Sequence, residues 1–269
     1  MQLAAITHHA PTAPEGIRAL GAAGATAVEI FLASKSHFDP TDPAQVEQVK
    51  QALAETGLTP AVAHLCFGPS FDISTPEEAV RERILEALVH EMRVAAGLGC
   101  ITAILHPASR CEDPKAFQAR LLVAAQSLKQ LMPVAEDLGL DIAVENMLPR
   151  NPGAHIEDLL ALLEAVPSPR LGFCCDTGHA FITGVPVDEM IRGFGDRLFA
   201  VHWQDNDGSG DQHVIPGKGA MAWEPFYEGL EAVGYSRPIT LEATNGTMIL
   251  SEFVRLAQLA LDERRGLYV

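Results

Sequence analysis

At 269 residues, 48% of them apolar, the chain can bury one large core and falls within the size range of a single barrel domain. A net charge of −16, with no basic run or basic–aromatic patch, opposes attraction to phosphate backbones and weighs against nucleic acid as a partner. No apolar run approaches the roughly 18 residues that span a bilayer, so no membrane segment is expected.

The first residues lack the basic region and long apolar core of a signal peptide and read as a strand, Leu3–Thr7. Ala27–Phe31 and Pro60–Leu65 read as the second and third strands. A helix is predicted over Pro76–Gly97, where Ile84, Leu85, Leu88, Met92 and Ala95 form a stripe of helical spacing. Ser74-Thr75-Pro76-Glu77-Glu78 would open it with a cap, a first-turn proline and acids near the positive helix end. Strand Ile101–His106, helix Pro114–Leu138, strand Asp141–Glu145 and helix Ile156–Ala165 follow. Strands Leu171–Asp176, Leu198–His202 and Pro238–Glu242 complete the set, and Gln204–Ala222, rich in Gly and Asp, reads as a loop over the mouth.

Eight strands alternating with helices imply a parallel sheet. An open doubly wound sheet would not bring residues from strands three to eight into one site, so a single (β/α)8 TIM barrel over residues 1–269 is expected. The five cysteines are odd in number and form no Cys-x-x-Cys pair, which fits reduced thiols in a cytoplasm.

His106, Glu145, Asp176, His202 and Glu242 each close a predicted strand. Taken singly, such a residue is a surface histidine or a helix-capping acid. Taken together they share one end of the barrel, where active sites form, and they are the donors a divalent metal needs. The most specific stretch is Asp176-Thr177-Gly178-His179, which places two side chains at one opening. In Asp211-Gln212-His213 the alternate residues could point the same way. His8, His9, Glu29, Lys35 and His37 could line the mouth from strands one and two, with His8 and Lys35 as substrate contacts. Trp203 and Phe67 could wall a pocket.

These residues, over essentially the whole chain, resemble the xylose isomerase-like barrel superfamily of sugar isomerases, epimerases and endonuclease IV-type enzymes. In the epimerase branch the resemblance implies one divalent ion (Mn2+, Zn2+, Mg2+ or Co2+) held by Glu145, Asp176, His202 and Glu242. It also implies that His179 faces a carbohydrate-like small molecule, and that Glu145 and Glu242 exchange its protons through an enediolate. The endonuclease IV branch implies further ligands, His64, His106, His179, Asp211 and His213, and up to three zinc ions acting on a phosphodiester. Against that branch, Trp203-Gln204-Asp205-Asn206-Asp207 stands where the nucleases carry Asn-Asp-Ser-Lys, and Gln212 stands where they carry Arg. The epimerases usually carry an arginine downstream of the metal histidine, which this loop lacks. The expectation is a metal-dependent sugar isomerase or epimerase, with a multi-zinc phosphodiesterase as the alternative and a homo-oligomer compatible with either.

Overall fold

The computed structural model describes residues 1–244 and 246–267. Its strands are β1 (Leu3–Ile6), β2 (Ala27–Phe31), β3 (Thr59–His64), β4 (Thr102–Leu105), β5 (Asp141–Glu145), β6 (Leu171–Asp176), β7 (Leu198–Trp203) and β8 (Ile239–Leu241). All pair in parallel and in chain order, and β8 returns to β1, so the sheet closes as a (β/α)8 TIM barrel. The helices are α1 (Ala13–Ala22), α2 (Pro43–Thr56), α3 (Glu78–Leu98), α4 (Phe117–Leu138), α5 (Ile156–Ala165), α6 (Thr177–Thr183), α7 (Val187–Phe194), α8 (Glu224–Ala232) and α9 (Leu250–Glu263). Among the described residues no helix is long and apolar enough to cross a membrane.

Side chains alternate along the strands, apart from irregularities at Ala61 in β3 and Phe199 in β7, and the alternation sorts them into two cores. Inward residues are small: Ala4, Ala27, Ala143, Cys174 and Ala200 share the barrel interior with Val62, Ile104 and Phe199. Outward residues such as Val28, Ile30, Leu105, Val144, Phe173 and Val201 pack beneath the helices. Each buried aliphatic of that layer contributes about 1.5–3 kcal/mol. Arg237 closes the lower end, 4.3 Å over the Phe199 ring and 2.8 Å from Asp141.

Several strand and helix ends move by one to three residues from expectation, and one helix start and one loop show why. Helix α3 starts at Glu78, two residues past the predicted proline, and Glu77 caps it without a side-chain bond. Ser74 is taken elsewhere: its hydroxyl donates to Asp72 Oδ1 at 2.6 Å and accepts from Arg120 Nε at 2.8 Å. The Gln204–Ala222 loop is ordered by a buried carboxylate. Asp205 accepts from the backbone N–H groups of Asn206 (2.8 Å), Gly217 (2.8 Å), Gly219 (3.1 Å) and Met221 (3.3 Å).

Candidate metal centre

Strands β5 and β6 end on inward positions, β7 turns His202 inward one residue before its end, and β8 places Glu242 one residue beyond its last pair. Their side chains meet: His202 Nδ1 lies 3.1 Å from Glu145 Oε1, 2.9 Å from Glu242 Oε2 and 3.8 Å from Asp176 Oδ2. One ligand atom from each of these four residues falls within 4.8 Å of the others, and all four residues are buried. Glu145 Oε2 and Glu242 Oε2 are buried without a well-aligned hydrogen bond, and each has a histidine nitrogen 2.9 Å away, His106 Nε2 and His202 Nδ1 respectively. Burying carboxylate oxygens is costly unless a cation meets them. Three carboxylates and one imidazole, each offering a ligand atom within 4.8 Å of the others, fit a divalent ion.

The surroundings hold these groups in place. Asp176 caps α6 by accepting from His179 N at 2.7 Å through Oδ1, which leaves Oδ2 toward the cluster. Asn146 brackets its backbone, donating to Asp176 O at 3.0 Å and accepting from Asp176 N at 2.7 Å. Gln204 Nε2 bridges Asp176 Oδ1 (3.1 Å) and Asp211 Oδ1 (2.9 Å). That bridge needs glycine at 178, where a Cβ would sit 2.3 Å from the Gln204 amide.

Further histidines surround the four. His64, His106 and Glu145 form a second group of ligand-grade atoms. Asp211 Oδ2 lies 3.4 Å from His179 Nε2 and 3.1 Å from His213 Nε2, so Asp211 and His213 do face one point. His213 sits at φ +47°, a conformation seldom taken by residues other than glycine, while its Nδ1 donates to Glu242 O at 2.9 Å. A carbonyl can only accept, so Nδ1 carries the proton in His213, in His179 (Asn146 O, 2.8 Å) and in His64 (Leu65 O, 3.0 Å). Each of the three thereby turns Nε2 toward a carboxylate.

The charges are strongly coupled. Burial alone would lower His179, but Asp176, Asp211 and Glu145 raise it to about 10. Burial opposes and Asp211 supports a rise to about 10 in His213. Burial would raise Glu242, yet His202 holds it down at about 2. Asp176 goes the other way, to about 6, because burial and the Glu145 and Glu242 carboxylates outweigh the histidines.

A cavity of about 270 Å³ opens above the cluster, with Glu145, His179 and Glu242 at its base and Phe67, Met147 and Leu148 on its walls. Phe67 stacks on His106 with ring centroids 4.3 Å apart, as a wall residue should. Trp203 does not reach this cavity. It follows inward-facing His202, so it points outward, fully buried, with its ring 5.8 Å from Trp223 under the helices. Lys35 is exposed on the loop after β2 and does not line the cavity. His8 is close enough to feel the charges of Glu242, His213 and Glu29, and burial lowers its pKa. His37 instead ties loops together, with Nε2 2.9 Å from Thr7 Oγ1 and Nδ1 3.2 Å from Pro11 O. The residue underweighted in the sequence is Glu29, whose carboxylate lies 3.1 Å from His202 Nε2.

Known proteins resemble the chain over most of its length. It is 30% identical over 230 residues to a fructoselysine 3-epimerase of Escherichia coli O157:H7, covering 82% of this chain and 81% of that protein. It is 28% identical over 223 residues to a probable endonuclease 4 of Geobacter sp. strain M21, covering 76% and 77%. Among solved structures, the zinc-bound IolI protein superposes with a TM-score of 0.81 at 16% identity, over 98% of this chain and 97% of that one. The profile of one family matches residues 17–265, and the chain belongs to it: the xylose isomerase-like TIM barrels.

Proposed function

We propose that this chain is a divalent-metal-dependent sugar epimerase. The observation that carries the proposal is the convergence of the buried donors Glu145, Asp176, His202 and Glu242 beneath an open cavity. The fructoselysine 3-epimerase among the relatives supports the substrate class, a ketose or a ketose conjugate. The zinc bound by IolI supports the metal.

A divalent ion held by the four residues would polarise the substrate carbonyl and stabilise the negative charge that builds up on the adjacent carbon and oxygen. The remaining chemistry belongs to the chain. A glutamate has two oxygens, so Glu145 and Glu242 can each hold the ion with one and exchange a proton with the other. They come from β5 and from the end of β8 and so approach a bound sugar from different sides. One removes the proton at the epimerised carbon and the other returns one to the opposite face, which inverts that centre. His179, kept protonated by Asp176 and Asp211, donates to a substrate oxygen. Phe67, Met147 and Leu148 exclude water while the carbon is deprotonated.

The test is solvent exchange. Metal-loaded protein in D2O should place one deuterium on the epimerised carbon of fructoselysine or of a simple ketose. No exchange across a ketose and ketose-conjugate panel would overturn the reading. A multi-metal phosphoesterase is the second reading, favoured by the His64–His106–Glu145 group and by the Asp211–His213 pair. Close to three zinc ions per chain, with cleavage of abasic DNA or a small phosphodiester, would establish it instead.

A further inference from the structure

We infer that Glu29 is a positioning residue of the metal centre: from β2, across the barrel, it fixes His202 so that Nδ1 is aimed at Glu145, Asp176 and Glu242. The inference rests on the metal reading above. Strand β2 alternates, with Ala27 in the barrel interior and Val28 and Ile30 beneath the helices, so Glu29 must point inward. It is wholly excluded from solvent. Among the described residues its carboxylate has one hydrogen-bonding partner, His202 Nε2, at 3.1 Å from Oε1 and 3.3 Å from Oε2. Its cross-strand neighbours are the apolar Ile6 and Val62, and Ala27 precedes it on the same face. A buried carboxylate costs several kcal/mol unless it is paired, so its presence here calls for a role.

Nε2 of His202 donates its proton to a hydrogen bond with the Glu29 carboxylate, and Nδ1, which here lies 3.1 Å from Glu145 Oε1, is the nitrogen that would release its proton to take a cation. The contrast with the other histidines of the mouth is informative. His64, His179 and His213 are held through Nδ1 by backbone carbonyls and present Nε2. His202 presents the other nitrogen, and its partner is a charged side chain. A carbonyl only orients an imidazole. A carboxylate also makes the ring a stronger donor. The His64 ring, stacked on His202 at 5.5 Å and 15°, keeps the plane from tilting away.

The full chain, stripped of metal, would be titrated with Zn2+ against a chromophoric chelator, as wild type, Glu29→Gln and Glu29→Leu. Glu29→Leu should weaken Zn2+ binding by about 10- to 100-fold. Glu29→Gln, which still offers an accepting oxygen, should lose much less. In the Zn2+-loaded protein the Nε2 proton of His202 should be visible by 15N-resolved NMR in wild type and Glu29→Gln, shifted in the latter, and lost to exchange in Glu29→Leu. The visible spectrum of the Co2+ form should change in Glu29→Leu. Wild-type binding with both variants within twofold of it, and an unmoved Co2+ spectrum, would overturn the positioning role alone. If Glu29→Leu does not fold, an unshifted His202 Nε2 proton in Glu29→Gln would overturn it equally. A wild-type chain that binds neither ion overturns the metal reading, and this inference with it.

Discussion

Adjacent residues of one strand show what a sequence can and cannot say about a site. His202 and Trp203 both sit at a strand end, yet only His202 can face the barrel interior, because neighbours on a strand point to opposite sides. A strict period-two count along Leu198–Trp203 would have removed Trp203 from the pocket, and the same count along Ala27–Phe31 supports Glu29, already expected near the mouth, as an inward residue. The four strand-end donors were legible because each follows an apolar run. The pairing of Glu29 with His202 was not, since 173 residues separate them and only barrel closure joins them. At this scale Glu145→Gln and Glu242→Gln should each lower exchange of the substrate proton by about 10²- to 10⁴-fold. Rates of deuterium uptake check this, and full activity in either variant would remove that residue from proton transfer. His9 supplies a separate test, away from the metal donors. Its ring packs 5.8 Å from Phe253, its Nε2 is buried without a partner, and burial lowers its pKa from 6.5 to about 4. The unfolded chain therefore takes up this proton before the folded one, and stability falls as pH drops from 6.5 toward 4. His9→Phe should abolish that share of the loss, on the order of 2 kcal/mol at pH 5, in denaturant titrations run at pH 5 and 7.5.

Elements were legible where hydrophobic periodicity sets them and less so where a side chain decides. Strands β2, β5 and β6 and helix α5 keep their expected bounds because apolar patterning alone defines them. The start of α3 moved because the ion pair and hydrogen bonds among Asp72, Ser74 and Arg120 compete for the capping residue, and Arg120 is 46 residues away from it. The loop after β7 carries few apolar residues, so its order could not be read from pattern. It comes from Asp205, which gathers four backbone N–H groups, and from the antiparallel bridge between Asp205 and Val214. Asp205→Ala should leave those donors unsatisfied and cost about 1–3 kcal/mol. Its sharper effect should be on the mouth. Asp211 and His213 ride on this loop, so their backbone amides should exchange faster with solvent in the variant while β5 and β6 stay protected. Hydrogen exchange distinguishes that outcome from a uniform loss of stability, which would mean the loop is not held by Asp205.

For the whole molecule, the cluster draws on β2, β5, β6, β7 and the end of β8, so it spans the barrel rather than one segment of it. Any ligand that binds the folded cluster and not the unfolded chain must stabilise the entire fold by mass action. The donors exist only when the barrel is closed, since the unfolded chain scatters Glu145, Asp176, His202 and Glu242 along nearly a hundred residues. A divalent ion at a hundred times its dissociation constant should then contribute about 2.7 kcal/mol. For a chain of this length that corresponds to a rise of about 5 °C in Tm. Chelation should reverse it. Asp176→Asn should abolish the rise without lowering the metal-free Tm, because asparagine still caps α6 through its side-chain oxygen while the charge facing the cluster is gone. The effect should fade toward low pH as His202, which burial opposes but Glu242, Glu29 and Glu145 push well above the ordinary histidine value, holds its proton against the ion. A Tm indifferent to Mn2+, Co2+ and Zn2+ across pH 6 to 8 would mean that the charges of the cluster balance one another and that no cation is recruited.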